Sequence, residues 1–244
     1  MTAALSPFPA LKAEDWRYAD EASLAQLWPL PGPDEITVGA GASFARALVH
    51  KGGVAHLALT LEAGASAALH VLNTGADYAR VEIEADLHEG AELTLGAVQV
   101  AAGAARLEIV TTVRHLAPNA TSRQLVRSVA GGTATASYLG KVFVAPGADG
   151  TDGSQSVRAM LLTRTAQANA RPELEIHADD VKCAHGCAIG ELDANGLFYL
   201  AARGLPPEAA KALMLQAFVA EAFDGAQGED QLRGAAQAAL EAAL

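Results

Sequence analysis

From Ile36 to about Val144 apolar and polar residues alternate in short runs separated by Gly, Asn and Ala-Gly turns. Ala55, Leu57, Leu59 and Leu61 make one run, Leu69 and Val71 belong to another, and Val81, Ile83, Ala85 and Leu87 interleave with Glu82, Glu84, Asp86 and His88. Side chains alternate between the two sides of an extended strand, so this period of two means one buried and one solvated face. The runs begin at steps of roughly ten to thirteen residues, a spacing shared by sandwiches, barrels and solenoids. The pattern alone does not choose among the three.

The period changes after Glu191. Asp193 suits the N-cap of a helix through Leu197, Leu200 and Ala201, with Gly204 placed for the left-handed position that ends it. Pro206 and Pro207 suit the first turn of a second helix, along which Leu215, Phe218, Val219, Ala222 and Phe223 recur at helical spacing. Leu213, Ala217 and Ala220 add a second apolar stripe, so this helix needs cover on two sides. The β body and a third helix, carrying Leu232, Ala235, Ala236, Ala239 and Leu240, would supply it; a docked partner is the alternative. Ahead of the strands, residues 1–35 end in Pro31, Gly32 and Pro33 and allow one short helix from Ala13 to Leu27. The chain thus divides into an N-terminal segment (1–35), a β core (36–191) and a C-terminal helical region (192–244).

Reactive side chains concentrate between Arg171 and Gly204, which hold both cysteines and two of the seven histidines. On a strand Cys183, His185 and Cys187 share one face. Thiolate and imidazole suit zinc, copper or iron-sulfur chemistry. Three donors in line along one strand cannot surround a metal, however, so further ligands must come from another strand or chain. With the preceding strand kept in register, Leu174, Ile176 and Ala178 point inward. Glu173, Glu175, His177 and Asp179 then point outward on the parity of the Cys/His row, unless Asp179-Asp180 breaks that register. The residues leave two other readings open: a metal-dependent all-β enzyme using Cys183, His185 and Cys187, or a structural subunit in which the row is buried packing.

Charge and motifs narrow the function. A net charge of -11 and a pI near 5.0 oppose binding to nucleic acid or to an anionic membrane. The start has no basic stretch followed by an apolar core, and no apolar run is long enough to span a bilayer, so a cytoplasmic protein with reduced thiols is expected. Gly140-Lys141 lacks the rest of a P-loop, His50, His56, His70 and His88 show no metal-site spacing, and no G-x-S-x-G elbow occurs. The four histidines are read as outward or satisfied, Glu82, Glu84 and Asp86 as a solvated face, and the chain as a non-enzyme.

Ala178 to Gly186 (ADDVKCAHG) and Leu197 to Gly204 (LFYLAARG), with Thr121–Val129 (TSRQLVRSV) and Lys141–Gly153 (KVFVAPGADGTDG) upstream in the same order, resemble the SufB/SufD family of iron-sulfur cluster assembly proteins, its SufD branch in particular. Glu14–Tyr18 (EDWRY) resembles the family's N-terminal phrase, although most of the family's N-terminal helical region has no counterpart here. The resemblance implies a right-handed parallel β-helix followed by a small helical region. It implies a scaffold that pairs with a SufB-like paralogue, carries a SufC-like ABC ATPase on its C-terminal helices and holds a nascent iron-sulfur cluster only at the subunit joint, with no cofactor in the isolated chain. The family's Cys-x-His falls on Cys183 and His185, of which His185 is the better candidate ligand. Cys187 stands where the family has a small residue and is a candidate additional ligand; His177 stands where the family tends to have an aromatic. Leu197, Phe198, Tyr199, Arg203, Leu213 and Phe218 become candidate partner-binding residues. Homodimerisation without the paralogue is compatible with this resemblance. SufD-branch proteins lack the sulfur-receiving apparatus of SufB, which implies that this chain does not take up persulfide sulfur itself.

Overall fold

The structure, a computed structural model, describes residues 16–75 and 77–244. Among these, parallel strands form two six-stranded sheets. One contains β1 (Asp34–Val38), β3 (Gly53–Leu61), β5 (Tyr78–Leu87), β7 (Arg106–His115), β9 (Thr135–Val144) and β11 (Gln167–Ile176) in that order. The other contains β2 (Ser43–His50), β4 (Ser66–Asn73), β6 (Glu92–Ala101), β8 (Thr121–Ala130), β10 (Asp152–Leu161) and β12 (Lys182–Gly190). Consecutive strands alternate between sheets, so each hydrogen-bonded neighbour lies one coil away and the chain winds as a parallel β-helix. The strands run on to Gly190, well past the clear alternation. The coils also lengthen: Ser43 pairs with Ser66, a step of 23 residues, whereas Thr121 pairs with Asp152, a step of 31. The step of ten to thirteen residues therefore describes the early strands only.

One corner shows how the coils are kept in step. Gly41, Gly64, Gly90, Asn119 and Gly150 all adopt positive φ. Their N–H groups donate in turn to the carbonyls of Ala63, Glu89, Pro118, Asp149 and Asp180, at 2.7–3.0 Å. This backbone ladder needs the left-handed conformation that glycine adopts most cheaply, with asparagine the next best tolerated. At Gly150 a second reason applies, because a Cβ there would overlap Asn119 Oδ1.

The lumen of the early coils is aliphatic, built from Leu57, Leu59, Leu69, Val81, Ile83 and Leu95 among others. The outer face of the second sheet is buried as well. Helices α3 (Pro207–Ala220) and α4 (Glu229–Ala243), with a 3-10 turn at Glu221–Phe223 between them, set Leu215, Val219, Phe223, Leu232, Ala236 and Leu240 against Leu72, Val98, Val100 and Val129. Strands β4 and β6 are therefore buried on both faces toward their C-terminal ends. His70, expected outward or satisfied, lies buried under this layer, and burial lowers its pKa. The outer face of the first sheet is polar. Arg114 bridges Glu84 and Asp86, His56 Nε2 lies 3.1 Å from Glu84, and the buried Arg80 pairs with the buried Glu108 at 2.7 Å beneath the ring of Trp16.

The N-terminal segment contributes α1 (Glu21–Leu27), capped by Asp20, which accepts from Ser23 N–H at 2.9 Å, and anchored by the buried Leu24. Residues 13–15 of the expected helix, and with them Glu14 and Asp15 of the EDWRY phrase, lie outside the described residues. Between the body and α3, helix α2 (Ala194–Ala202) starts at Asp193, whose carboxylate accepts from Asn195 and Gly196 N–H, and ends at Gly204 with φ +89°. No helix of the described residues is long and apolar enough to cross a membrane.

Candidate cluster site at the open end of the solenoid

Strand β12 pairs with β10 so that Gly153 faces Cys183, Gln155 faces His185 and Val157 faces Cys187. All three β10 residues are buried, lumen-facing positions. The Cys/His row therefore shares the inward parity, which corrects the outward expectation. The reason is topological: β11 and β12 belong to different sheets, and the corner at Asp179-Asp180 between them resets the register. Among the described residues no strand pairs with the free edges of β11 and β12. The row faces a lumen that is open on this side, and His185 and Cys187 are exposed while Cys183 is half-buried. Across the opening, register with β9 puts Ala170, Pro172, Leu174 and Ile176 on the lumen parity of β11.

Cys183 packs with Val142, Val144, Ala148 and Leu174. A Cβ on Gly153 would sit 3.4 Å from its Sγ and 3.7 Å from His115 Nε2, so the glycine leaves a methyl-sized gap between thiol and imidazole. Burial pushes the Cys183 thiol up, a backbone hydrogen bond from Gly153 opposes this, and the Asp152 carboxylate adds to it. The thiol is thus protonated at neutral pH until a metal or a partner alters its surroundings. His115 below it is fully buried, lies 2.9 Å from Ser122 Oγ and is lowered to about 4, chiefly by burial.

The last coils also hold a polar cluster that the sequence reading missed. Tyr138 Oη lies 2.9 Å from Thr111 Oγ1 and 3.3 Å from Gln124 Oε1, and it accepts from Gln155 Nε2 at 3.2 Å. All four residues are buried. In-register residues on the second sheet run Leu69, Leu95, Gln124, Gln155 and then His185. Glutamines at apolar parity between Ser122 and Val126, and between Gly153 and Val157, were the signal that could have revealed it.

The donors of Cys183, His185 and Cys187 do not converge. Among the described residues the one trio of such donor atoms within 4.8 Å of one another is His56, Glu82 and Glu84. There Arg80 engages Glu82 and Arg114 engages Glu84, so the trio belongs to a charge ladder on the outer face. An in-line row of soft donors can surround a metal only with further ligands from outside its own strand.

The candidate partner-binding residues divide by exposure. Phe198 is 77% exposed, Tyr199 57% and Leu213 47%. Arg203 stacks its guanidinium 5.0 Å from the Tyr199 ring. Leu197 is half-buried, and Phe218 turns toward the body, under Arg127 at 5.8 Å. Helix α3 thus buries Leu215 and Val219 but leaves Leu213 and Ala217 open.

Residues 35–218 match the family model described as SUF system FeS cluster assembly, SufBD core domain. The chain belongs to the SufBD family. An iron-sulfur cluster assembly SufBD family protein of Synechocystis sp. is 34% identical over 154 residues, covering 63% of this chain and 34% of the relative. Escherichia coli iron-sulfur cluster assembly protein SufD is 34% identical over 119 residues, 49% of this chain and 28% of the relative. Protein ABCI7, chloroplastic, of Arabidopsis thaliana is 40% identical over 120 residues, 48% and 25%. The chain therefore spans a quarter to a third of the length of these relatives. The SufBD core match begins at the second residue of β1, takes in all the later strands, the Cys/His row and α2, and ends on α3.

Proposed function

We propose that this chain is a non-catalytic scaffold subunit for iron-sulfur cluster assembly. Its open last coil joins a SufB-like paralogue, α2 and α3 receive a SufC-like ABC ATPase, and the nascent cluster forms at the joint. The observation that carries this reading is the Cys/His row on the lumen side of a coil whose edges are unpaired. Open parallel edges invite a further strand pair, and another β-helix set end-on would extend both sheets. It would also bring donors from a second chain to face the row, which the in-line spacing requires. The first coil differs: Asp34 and Arg46, both on lumen parity, pair at 2.5 Å across that end.

The cluster is cargo of the complex. His185 is the principal ligand, because its exposed imidazole offers a ring nitrogen at the open end of the lumen. Cys183 joins once iron displaces its proton, and Cys187 adds a third soft donor at the rim. Alone, the chain can close the same edges with a second copy of itself. Reduced thiols suit a cytoplasmic setting. On the helices, the open Phe198 and Tyr199 supply aromatic side chains of the kind enriched at interfaces, with Leu213 adding exposed apolar surface.

The test is anaerobic co-purification of the chain with SufB-like and SufC-like proteins, with iron content and absorbance read on the complex. A three-component complex that assembles a cluster, and loses it with His185→Ala, is expected. Failure to bind either protein, together with tight stoichiometric metal in the lone chain, would move the assignment to a metal-dependent enzyme.

A further inference from the structure

A ligating histidine works well only when its second ring nitrogen is held, because that contact sets the tautomer and the ring plane. The residue facing His185 in register is Gln155, on the same lumen face of the adjacent strand. Gln155 is 2% exposed, and its Nε2 is committed to Tyr138 Oη at 3.2 Å. Tyr138 is fastened in turn to Thr111 and Gln124. The other end of the amide, Oε1, is buried without a hydrogen-bond partner. Leaving a buried carbonyl unpaired is costly, so an acceptor held in this way needs a donor. Gln124 Nε2, one coil below, is also unpartnered, but an amide oxygen accepts two hydrogen bonds. Toward the open end, the side chain stacked next to it is His185.

We infer that Gln155 is a positioning residue: Oε1 makes no hydrogen bond in this structure, and a turn of the exposed His185 ring brings one ring N–H to it and leaves the other nitrogen free, directed to the joint. The network of Thr111, Gln124 and Tyr138 anchors the amide so that Oε1, and not the NH2 group, meets the imidazole. This rests on the reading of His185 as a cluster ligand, but the orientation itself is a property of the lone chain and is measured there.

The experiment uses 15N-histidine-labelled chain at pH 8, with long-range 1H–15N correlations. The His185 ring is assigned by its absence in His185→Ala, and the buried His115 ring serves as a fold control. Wild type is expected to show a single His185 tautomer. Gln155→Leu should show the mixed tautomers of a free imidazole, and Gln155→Glu, which keeps an acceptor, should restore the single form. In the reconstituted complex, Gln155→Leu should lower iron affinity by about tenfold, with Gln155→Glu recovering most of it. Mixed tautomers in wild type, or a ratio that ignores Gln155→Leu, overturn the proposal and mean that the two glutamines satisfy each other. If the tautomer follows Gln155 while His185→Ala assembles clusters normally, the orientation stands and the ligand role fails. If assembly needs His185 but its tautomer ignores Gln155, the positioning role alone fails.

Discussion

Arg127, on the outer face of the second sheet, holds Glu221 at 2.9 Å across 94 residues of sequence. The two partners are not equivalent: the Arg127 side chain is 3% exposed and that of Glu221 60%. The guanidinium also donates to the carbonyls of Val126 and Ser156 at 3.0 and 3.2 Å and covers the ring of Phe218. One residue thus ties strands β8 and β10 to the end of α3.

Truncating the two partners should therefore have unequal effects. Arg127→Ala loses several charge-assisted bonds and the ring contact, and should destabilise by about 2–3 kcal/mol. Glu221→Ala loses one exposed carboxylate and should cost under about 1 kcal/mol. Urea unfolding of both variants measures the difference, and equal losses would contradict the assignment of Arg127 as the anchor.

The corner ladder can be tested by a matched pair. Gly147 and Gly150 have φ of +79° and +74°, but a Cβ meets open space at Gly147 and Asn119 Oδ1 at Gly150. Gly147→Ala should cost about 1 kcal/mol from backbone strain alone. Gly150→Ala should cost clearly more, and Gly150→Ala combined with Asn119→Gly should recover the excess. Thermal melts of the three variants give the comparison.

The two thiols should react at different rates. Cys187 is exposed, whereas Cys183 is half-buried with its thiol pushed up by burial. Iodoacetamide near neutral pH should modify Cys187 several-fold faster in the native chain, because the thiolate is the nucleophile. Peptide mass spectrometry over a time course reads both sites. Binding of the SufB-like paralogue should protect both; undiminished labelling in the complex would place the joint elsewhere.

The buried His115 makes stability pH-dependent. Its folded pKa is about 4 against an ordinary 6.5, so the unfolded chain takes up the proton first. Its contribution is fully present above pH 6.5 and is lost progressively as pH falls toward 4, by roughly 3 kcal/mol at most. His70 shifts in the same direction. Unfolding free energies of wild type and His115→Asn between pH 7 and 4 should converge as the pH falls. A constant gap would show that the ring is not buried in its neutral form.

Phe198 is a surface residue by packing and an anchor by proposal. Phe198→Asp should change the stability of the lone chain by less than about 0.5 kcal/mol yet weaken capture of the SufC-like ATPase at least tenfold. Calorimetry of the pair, beside a melt of the variant, separates these effects.

Much of this architecture was legible along the chain. The alternation at Ala55–Leu61 and Val81–Leu87 named the lumen residues, and Asp193, Gly204 and Pro207 marked helix ends, because caps and strand parity are local properties. The motif around Cys183 and His185 pointed to the family that the SufBD core match then established. The direction of the row was not legible. Parity counted from Leu174 fails across Asp179-Asp180, since a corner between sheets can take up an odd or an even number of residues. Gln155 was passed over for a related reason: a single glutamine among small residues has meaning only once its neighbours on other coils are known.

By itself, then, the sequence determined which segments are strands and helices, which faces are apolar, and which side chains carry soft donors, all properties of residues near one another in the chain. The tertiary structure decided that the strands wind as coils, that α3 and α4 cover the second sheet, and that Cys183, His185 and Cys187 face the lumen at its open end above a buried polar cluster. These depend on pairings 23 to 32 residues apart, as from Ser43 to Ser66 and from Thr135 to Gln167. Such pairings are chosen by the summed burial and hydrogen bonding of whole coils and not by any local preference.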